Sequence, residues 1–244
     1  MTQSVKPPIL TEKEKAQRGA LKRAAKPKLA STIVLTHGDP KNPHILMGQR
    51  AGRSDFMPSV YVFPGGRVDR ADSYAPFYKD LSSRNANILE AKYTARKARA
   101  IALAAIRETY EETNLMLGKS AKFKRNINNA SWDAFREKNI LPDLSEIDVF
   151  GRAVTPPYRH KRYDTWFFIQ HLSGQRPGIS DSAELVNVGW YTIEEIAELK
   201  TARVTSLMMQ ILKDYLKAPN RSDQILYLHM HHGKFAQDWF PTKS

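Results

Sequence analysis

The chain has 244 residues, no cysteine and a formal net charge of +13. That length suits one well-cored domain with additions, and the lack of cysteine excludes disulfides, thiolate catalysis and cysteine-based zinc or iron–sulfur sites. No apolar run approaches the ~18 residues that cross a membrane, so no membrane partner is expected, and the composition is compatible with a reducing cytoplasm, the expected location.

The excess charge is unevenly spread. Residues 1–29 hold eight Lys or Arg against two acids, and this polar stretch reads as a basic, partly disordered arm ahead of a domain spanning 30–244. It lacks the apolar segment of a secretory signal. The remaining charge suits an anionic small molecule as well as a polynucleotide, since steering needs only a locally positive cleft.

Strands are predicted at 31–36 (STIVLT) and 44–48, with a turn-rich His37–Pro43 between them. A third, Val60–Phe63, runs into Pro64-Gly65-Gly66, which ends a strand and permits close approach of a ligand. From Leu89 to Asn114 the chain is alanine-rich and free of Gly and Pro, which predicts one long helix. A short helix is expected over 132–138, and strands over 148–154, 165–170 and 185–191. Thr192 is placed to cap a helix, and 204–216 forms an amphipathic one whose Leu and Met stripe faces a core. Strands interleaved with helices predict an α/β fold. His229, His231 and His232 form an HxHH pattern in which His229 and His231 share a strand face, a pair that reads either as part of an exposed C-terminal strand or as a zinc site lacking further ligands.

The decisive run is Arg107-Glu108-Thr109-Tyr110-Glu111-Glu112-Thr113-Asn114-Leu115. On a helix its three glutamates stack on one face at i, i+3 and i+4, where unpaired like charges repel. A divalent cation relieves that repulsion, because Mg2+ and Mn2+ take carboxylate oxygens and suit phosphate chemistry. Arg107, four residues before Glu111, is placed to pin that carboxylate. Taken alone, the run reads more readily as a solvated acidic helix face; the upstream FPGG turn is what changes this.

Together, the FPGG turn and the RETYEETNL helix resemble the Nudix hydrolase signature, G-x5-E-x7-R-E-U-x-E-E-x-G-U with U a bulky apolar residue. Gly66 matches its first glycine, Arg107, Glu108, Glu111 and Glu112 its core, and Leu115 its closing position. Asp72 stands where the family carries Glu, its shorter reach speaking against a direct metal role. Thr109 is less apolar than the family's residue, and Asn114 replaces glycine, a mild change because Asn also tolerates the left-handed conformation that closes a helix. Between Asp72 and Arg107 lie 34 residues in place of seven, an insertion at about 73–100. A box interrupted there, with Thr155-Pro156-Pro157 and Arg162–Phe168 downstream, resembles the coenzyme A diphosphatase branch of the family.

The resemblance implies a Nudix-type α/β/α sandwich with a mixed central sheet and an inserted helical segment. It implies a diphosphatase using Mg2+ or Mn2+ held by Glu108, Glu111, Glu112 and the carbonyl of Gly66, with Glu108 or Glu112 as general base and Arg107 orienting Glu111. Some family members recruit a later acid, for which Glu184 is the candidate. The substrate is then a nucleotide-containing small molecule like coenzyme A, its phosphates met by Gly65, Arg50 and Arg53, or by Arg159–Arg162, of which Arg162 is the favoured member; Arg suits bidentate phosphate contacts. The aromatic residues Tyr74, Phe77 and Tyr78 of the insertion are expected either in the core or as a wall for adenine or an acyl group. Alternatives are another nucleoside diphosphate derivative (NADH, ADP-ribose, capped RNA) and a non-catalytic nucleic-acid-binding module, against which the intact acidic run argues. Many relatives pair, so a homodimer is compatible with the reading.

Overall fold

The computed structural model describes residues 25–52, 58–217, 222–231 and 234–241. Most of the basic arm, Arg53 and His232 lie outside them. The elements, in chain order, are β1 (Lys28–His37), β2 (His44–Arg50), β3 (Tyr61–Val62), β4 (Gly65–Arg67), a 3-10 turn (Ala71–Ser73), α1 (Ser83–Glu90), α2 (Ala95–Thr113), β5 (Lys119–Ser120), α3 (Ala130–Glu137), β6 (Ile140–Leu141), β7 (Asp148–Val154), β8 (Tyr163–Leu172), β9 (Leu185–Tyr191), α4 (Ile193–Glu198), α5 (Arg203–Lys217), β10 (Ile225–His231) and β11 (Lys234–Phe240).

Among the described residues, nine strands make one mixed sheet in the order β11-β10-β7-β8-β1-β2-β3, with β4 also on β1 and β9 also on β2. β1 runs parallel to β8 and β10 parallel to β7; the other contacts are antiparallel. One face carries α2 through Ile101, Leu103 and Ile106, with Ile88 and Leu89 of α1 and Trp132 and Phe135 of α3 in the same core. The other carries α4 and α5 through Ile196, Met208, Met209 and Leu212 against Val34, Phe150 and Phe167. These layers are the predicted α/β/α sandwich. Among the described residues, no helix is long and apolar enough to cross a membrane.

The sequence-predicted elements hold in kind and shift at their ends. The single long helix expected from Leu89 is two: α1 stops at Glu90, and Thr94 restarts the chain as the cap of α2 by accepting from the amide of Lys97. An alanine-rich composition does not reveal such a break, because the cap competes locally with continued helix. At the far end Asn114 closes α2 with φ 60°, in the left-handed conformation expected of it. Thr109 lies buried in the middle of α2, and its hydroxyl donates to the carbonyl of Ala105, so its polarity carries no unmet hydrogen bond. The β3 ladder covers only Tyr61–Val62, because Phe63-Pro64 turns the chain away toward β4.

The inserted segment is tied to the domain body. Asn85 of α1 donates to the carbonyl of Ile147 at 2.6 Å and accepts from the amide of Val149, serving the start of β7 from within the core. Asp80 takes a bidentate ion pair from Arg99 of α2. Tyr74 and Tyr78 are exposed on this segment, whereas Phe77 packs against the core.

Candidate active site

Two glycines set the geometry. A side chain at Gly65 would overlap the backbone of Ser31 and Thr32, and one at Gly66 would overlap the carboxylate of Glu108. Without side chains there, β4 slides between β1 and α2, so the backbone of the elbow touches the acidic face of the helix. Gly65 also sits at φ 154°, where an L side chain is strained. Gly65→Ala is expected to lower stability by about 3 kcal/mol, an overpacking and strain cost visible as a fall in Tm in thermal unfolding; an unchanged Tm would show that the elbow has slack.

Against this elbow the glutamates of α2 take different positions. Glu112 is buried, and its Oε2 accepts from the amide of Gly65 at 2.8 Å. Glu108 is mostly buried, with Oε1 accepting from Arg107 Nη1 at 2.9 Å. Glu111 lies nearer solvent and is held by Arg107 Nη1 at 2.8 Å and by the hydroxyl of Ser131. Among the described residues, no three acidic, imidazole or thiol groups stand close enough together to hold a metal ion as they are placed.

Asp72 is fully buried away from that face. It accepts from Arg107 Nε at 2.8 Å and Nη2 at 3.1 Å, from the indole of Trp132 at 3.1 Å and from the amide of Asp69 at 2.7 Å. Burial pushes its carboxyl upward, and the four donors oppose that shift. Burial lowers Arg107, but its bonds to Asp72 and the fields of Glu108 and Glu111 outweigh this and hold it above the ordinary guanidinium value. With Nη2 also bonded to the carbonyl of Arg67, Arg107 is a fully used bracket: Asp72 fixes its base and its tip fixes two glutamates. The shorter side chain at 72 thus anchors the arginine and faces no metal position.

The electrostatics suit a cation. Burial first, then the fields of Glu111 and Glu184, push Glu108 up to about 7 despite Arg107. Burial, then the fields of Glu108 and Glu184, push Glu112 up to about 8 against the Gly65 amide and Arg50. Two buried carboxylates short of positive charge beside an open cleft are the donor set of a hard divalent ion. Glu108, Glu111 and Glu112 are thus of the donor type that Mg2+ or Mn2+ takes.

Gly65, Gly66, Arg107, Glu108, Glu111 and Glu112 line one cleft of about 1280 Å3, together with Arg50, Arg159, Glu184 and the first turn of α5, whereas Asp72 does not. Glu184 reaches it because β9 pairs with β2, which places the residue before β9 opposite Ala51, whose amide bonds the Glu184 carbonyl at 2.9 Å. Arg162 does not reach it: its guanidinium donates to the carbonyls of Thr155 and Ala25. Tyr74, Phe77 and Tyr78 do not line it either. The cleft-lining cations that pattern reading missed are Lys28, Arg67, Arg70, Arg203 and Lys234; strand alternation from Ala30 and Gly65 is the only signal that pointed to the first two. On β10, His229 stacks on Tyr227 at 4.3 Å and bonds Asp238, which gives it a partner within the hairpin.

A crystal structure of a Nudix hydrolase from Alicyclobacillus acidocaldarius superposes with a TM-score of 0.61 and 23% identity, covering 80% of this chain and 94% of that one. The chain has the Nudix hydrolase fold. Among characterised proteins it is similar to the acyl-coenzyme A diphosphatase NUDT19 of Xenopus laevis, 22% identical over 204 residues, which is 63% of this chain and 54% of the relative. The chain thus spans about half the length of that relative. No protein-family model matches it. Within the Nudix fold, the glutamates occupy the helix that follows the glycine elbow, although 34 residues lie between Asp72 and Arg107.

Proposed function

We propose that this protein is a divalent-metal-dependent diphosphatase that cleaves coenzyme A or acyl-coenzyme A to 3′,5′-adenosine diphosphate and (acyl-)4′-phosphopantetheine. The observation that carries the reading is the burial of Glu108 and Glu112 against the Gly65–Gly66 elbow at one end of a long cleft. A diphosphate resists hydrolysis because its oxygens repel nucleophiles; bound Mg2+ or Mn2+ supplies charge neutralisation and an acidified water.

The chain's own residues do the rest. Glu108, Glu111 and Glu112, with the Gly66 carbonyl, hold the metal, and Arg107 keeps Glu108 and Glu111 in place while making no substrate contact. Arg50, whose field reaches Glu112, lines the cleft to meet a phosphate oxygen by charge-assisted hydrogen bonding. Glu184, exposed in the same cleft and felt by both buried glutamates, is placed to take the proton of the attacking water, a role that otherwise falls to Glu108 or Glu112.

The test is a panel of coenzyme A, acyl-coenzyme A, NADH, ADP-ribose and capped RNA under Mg2+ or Mn2+, with products identified by mass. The expected result is fastest cleavage of the coenzyme A compounds, giving 3′,5′-adenosine diphosphate. Faster cleavage of NADH than of coenzyme A overturns the substrate. Salt-sensitive nucleic-acid binding without hydrolysis overturns the enzyme.

A further inference from the structure

The cleft is far longer than the diphosphate site at its end. Its floor is one face of the sheet, and the strand registers state which residues lie on it. Ala30 of β1 pairs with Thr165 of β8, Thr165 with Ala153 of β7, Ala153 with Leu228 of β10, and Met230 of β10 with Phe235 of β11. Since β4 lies on β1, five strand spacings separate the glycine elbow from β11, roughly 24 Å at ~4.8 Å each. The chemistry changes along that path. Near the elbow the lining is carboxylate and arginine; at the far end Leu228, Met230 and Phe235, roofed by Val204 and Leu207 of α5, form an apolar strip edged by Arg203, His229 and Lys234. Of these only Leu228 is buried, the others being partly or largely open to the cleft.

This far end is built to hold its shape. Arg152 of β7 makes a bidentate pair with Asp164 of β8, at 2.8 Å for each bond, and its guanidinium lies 4.4 Å from the Tyr227 ring and 5.1 Å from the Phe240 ring. Both rings belong to the β10–β11 hairpin, so the opposite face of the sheet clamps the hairpin against β7 while its apolar face stays turned to the cleft.

We infer that strands β10 and β11 and the first turns of α5 form a subsite for an aliphatic chain carried at the far end of the diphosphate substrate, with Met230, Phe235 and Leu207 deciding how much of the chain is accepted. The occupant follows from continuity: one cavity joins an anionic-substrate site to an apolar channel roughly 24 Å away, so a single elongated molecule with a phosphate-rich head and a greasy tail fits both. The inference rests on the proposed function for the identity of the head. It replaces Tyr74, Phe77 and Tyr78 of the insertion as the wall for an acyl group.

The experiment is calorimetric binding of coenzyme A, octanoyl-coenzyme A and octanoyl-pantetheine in EDTA, where nothing is cleaved, to the full chain and to Met230→Ser and Leu207→Ser. Each methylene inside the channel adds roughly fourfold in affinity, so octanoyl-coenzyme A is expected to bind at least tenfold more tightly than coenzyme A. Both variants are expected to bring that ratio close to one while circular dichroism shows them folded. Equal affinities in the unaltered chain, or a ratio that survives in both folded variants, overturn the subsite. Octanoyl-pantetheine separates the two readings: if it binds and loses affinity in Met230→Ser while coenzyme A neither binds nor reacts, the tail site stands and the head assignment falls. If no octanoyl compound binds, the tail site falls.

Discussion

Glu112→Gln is expected to lower kcat about a thousandfold or more, a loss of roughly 4 kcal/mol in transition-state stabilisation, while making the metal-free protein more stable at alkaline pH. The two effects have one cause. Glu112 is fully buried with one amide donor, and burial followed by repulsion from Glu108 and Glu184 raises it to about 8 from an ordinary 4.5. A carboxyl raised on folding is favoured in its protonated form, so its contribution to stability is complete below the unfolded value and disappears as pH climbs through the folded value. Metal-free protein should therefore lose Tm between about pH 5 and pH 8, a slope that Glu112→Gln flattens. Mg2+ should restore Tm at pH 8, by about 2.7 kcal/mol at a hundred times its dissociation constant, and do little at pH 5. Thermal scans across pH with and without Mg2+, beside kcat for both proteins, check this. A Tm of the unaltered chain that is flat with pH and blind to Mg2+ would remove the metal assignment, as would near-normal kcat in the variant.

Arg107→Ala is expected to cost about 3–5 kcal/mol of stability, since it strands Asp72 as an uncompensated buried charge. For a domain of this size that is on the order of 10 °C in Tm. Arg107 makes five hydrogen bonds to Asp72, Glu108, Glu111 and the Arg67 carbonyl, so kcat should fall as well, through misplaced glutamates. Asp72→Asn should cost less than Asp72→Ala, because the amide oxygen still accepts from Arg107 and Trp132. Arg107→Lys should not rescue, lacking the planar fork that spans Asp72 and the glutamates together. Urea unfolding and steady-state kinetics on the four variants decide it; a drop in kcat without loss of stability in Arg107→Ala would mean that the arginine touches substrate and is no bracket.

Features that depend on neighbours in the chain were legible in the sequence. The stacked acids of α2, the left-handed Asn114, the helix cap at Thr192 and the strand character of Ser31–Thr36 and Trp166–Phe168 follow from spacing and local hydrogen bonding. The glycine elbow was legible too, since Pro-Gly-Gly ends a strand and lets the backbone take positive φ and approach its neighbours closely. What local pattern missed was the halt between α1 and α2, where a threonine cap outweighs good helix formers.

Everything that depends on which strand lies beside which was left to the tertiary structure. Arg50 and Arg162 look equivalent as basic residues at strand ends, yet β2 aims one into the cleft and backbone carbonyls consume the other. Glu184 reaches the site through the pairing of β9 with β2, and Asp72 finds its role through Arg107, 35 residues downstream. The apolar end of the cleft needed the parallel pairing of β10 with β7, which no periodicity announces. Side-chain direction in a strand alternates with every residue, so register alone decides what faces the substrate.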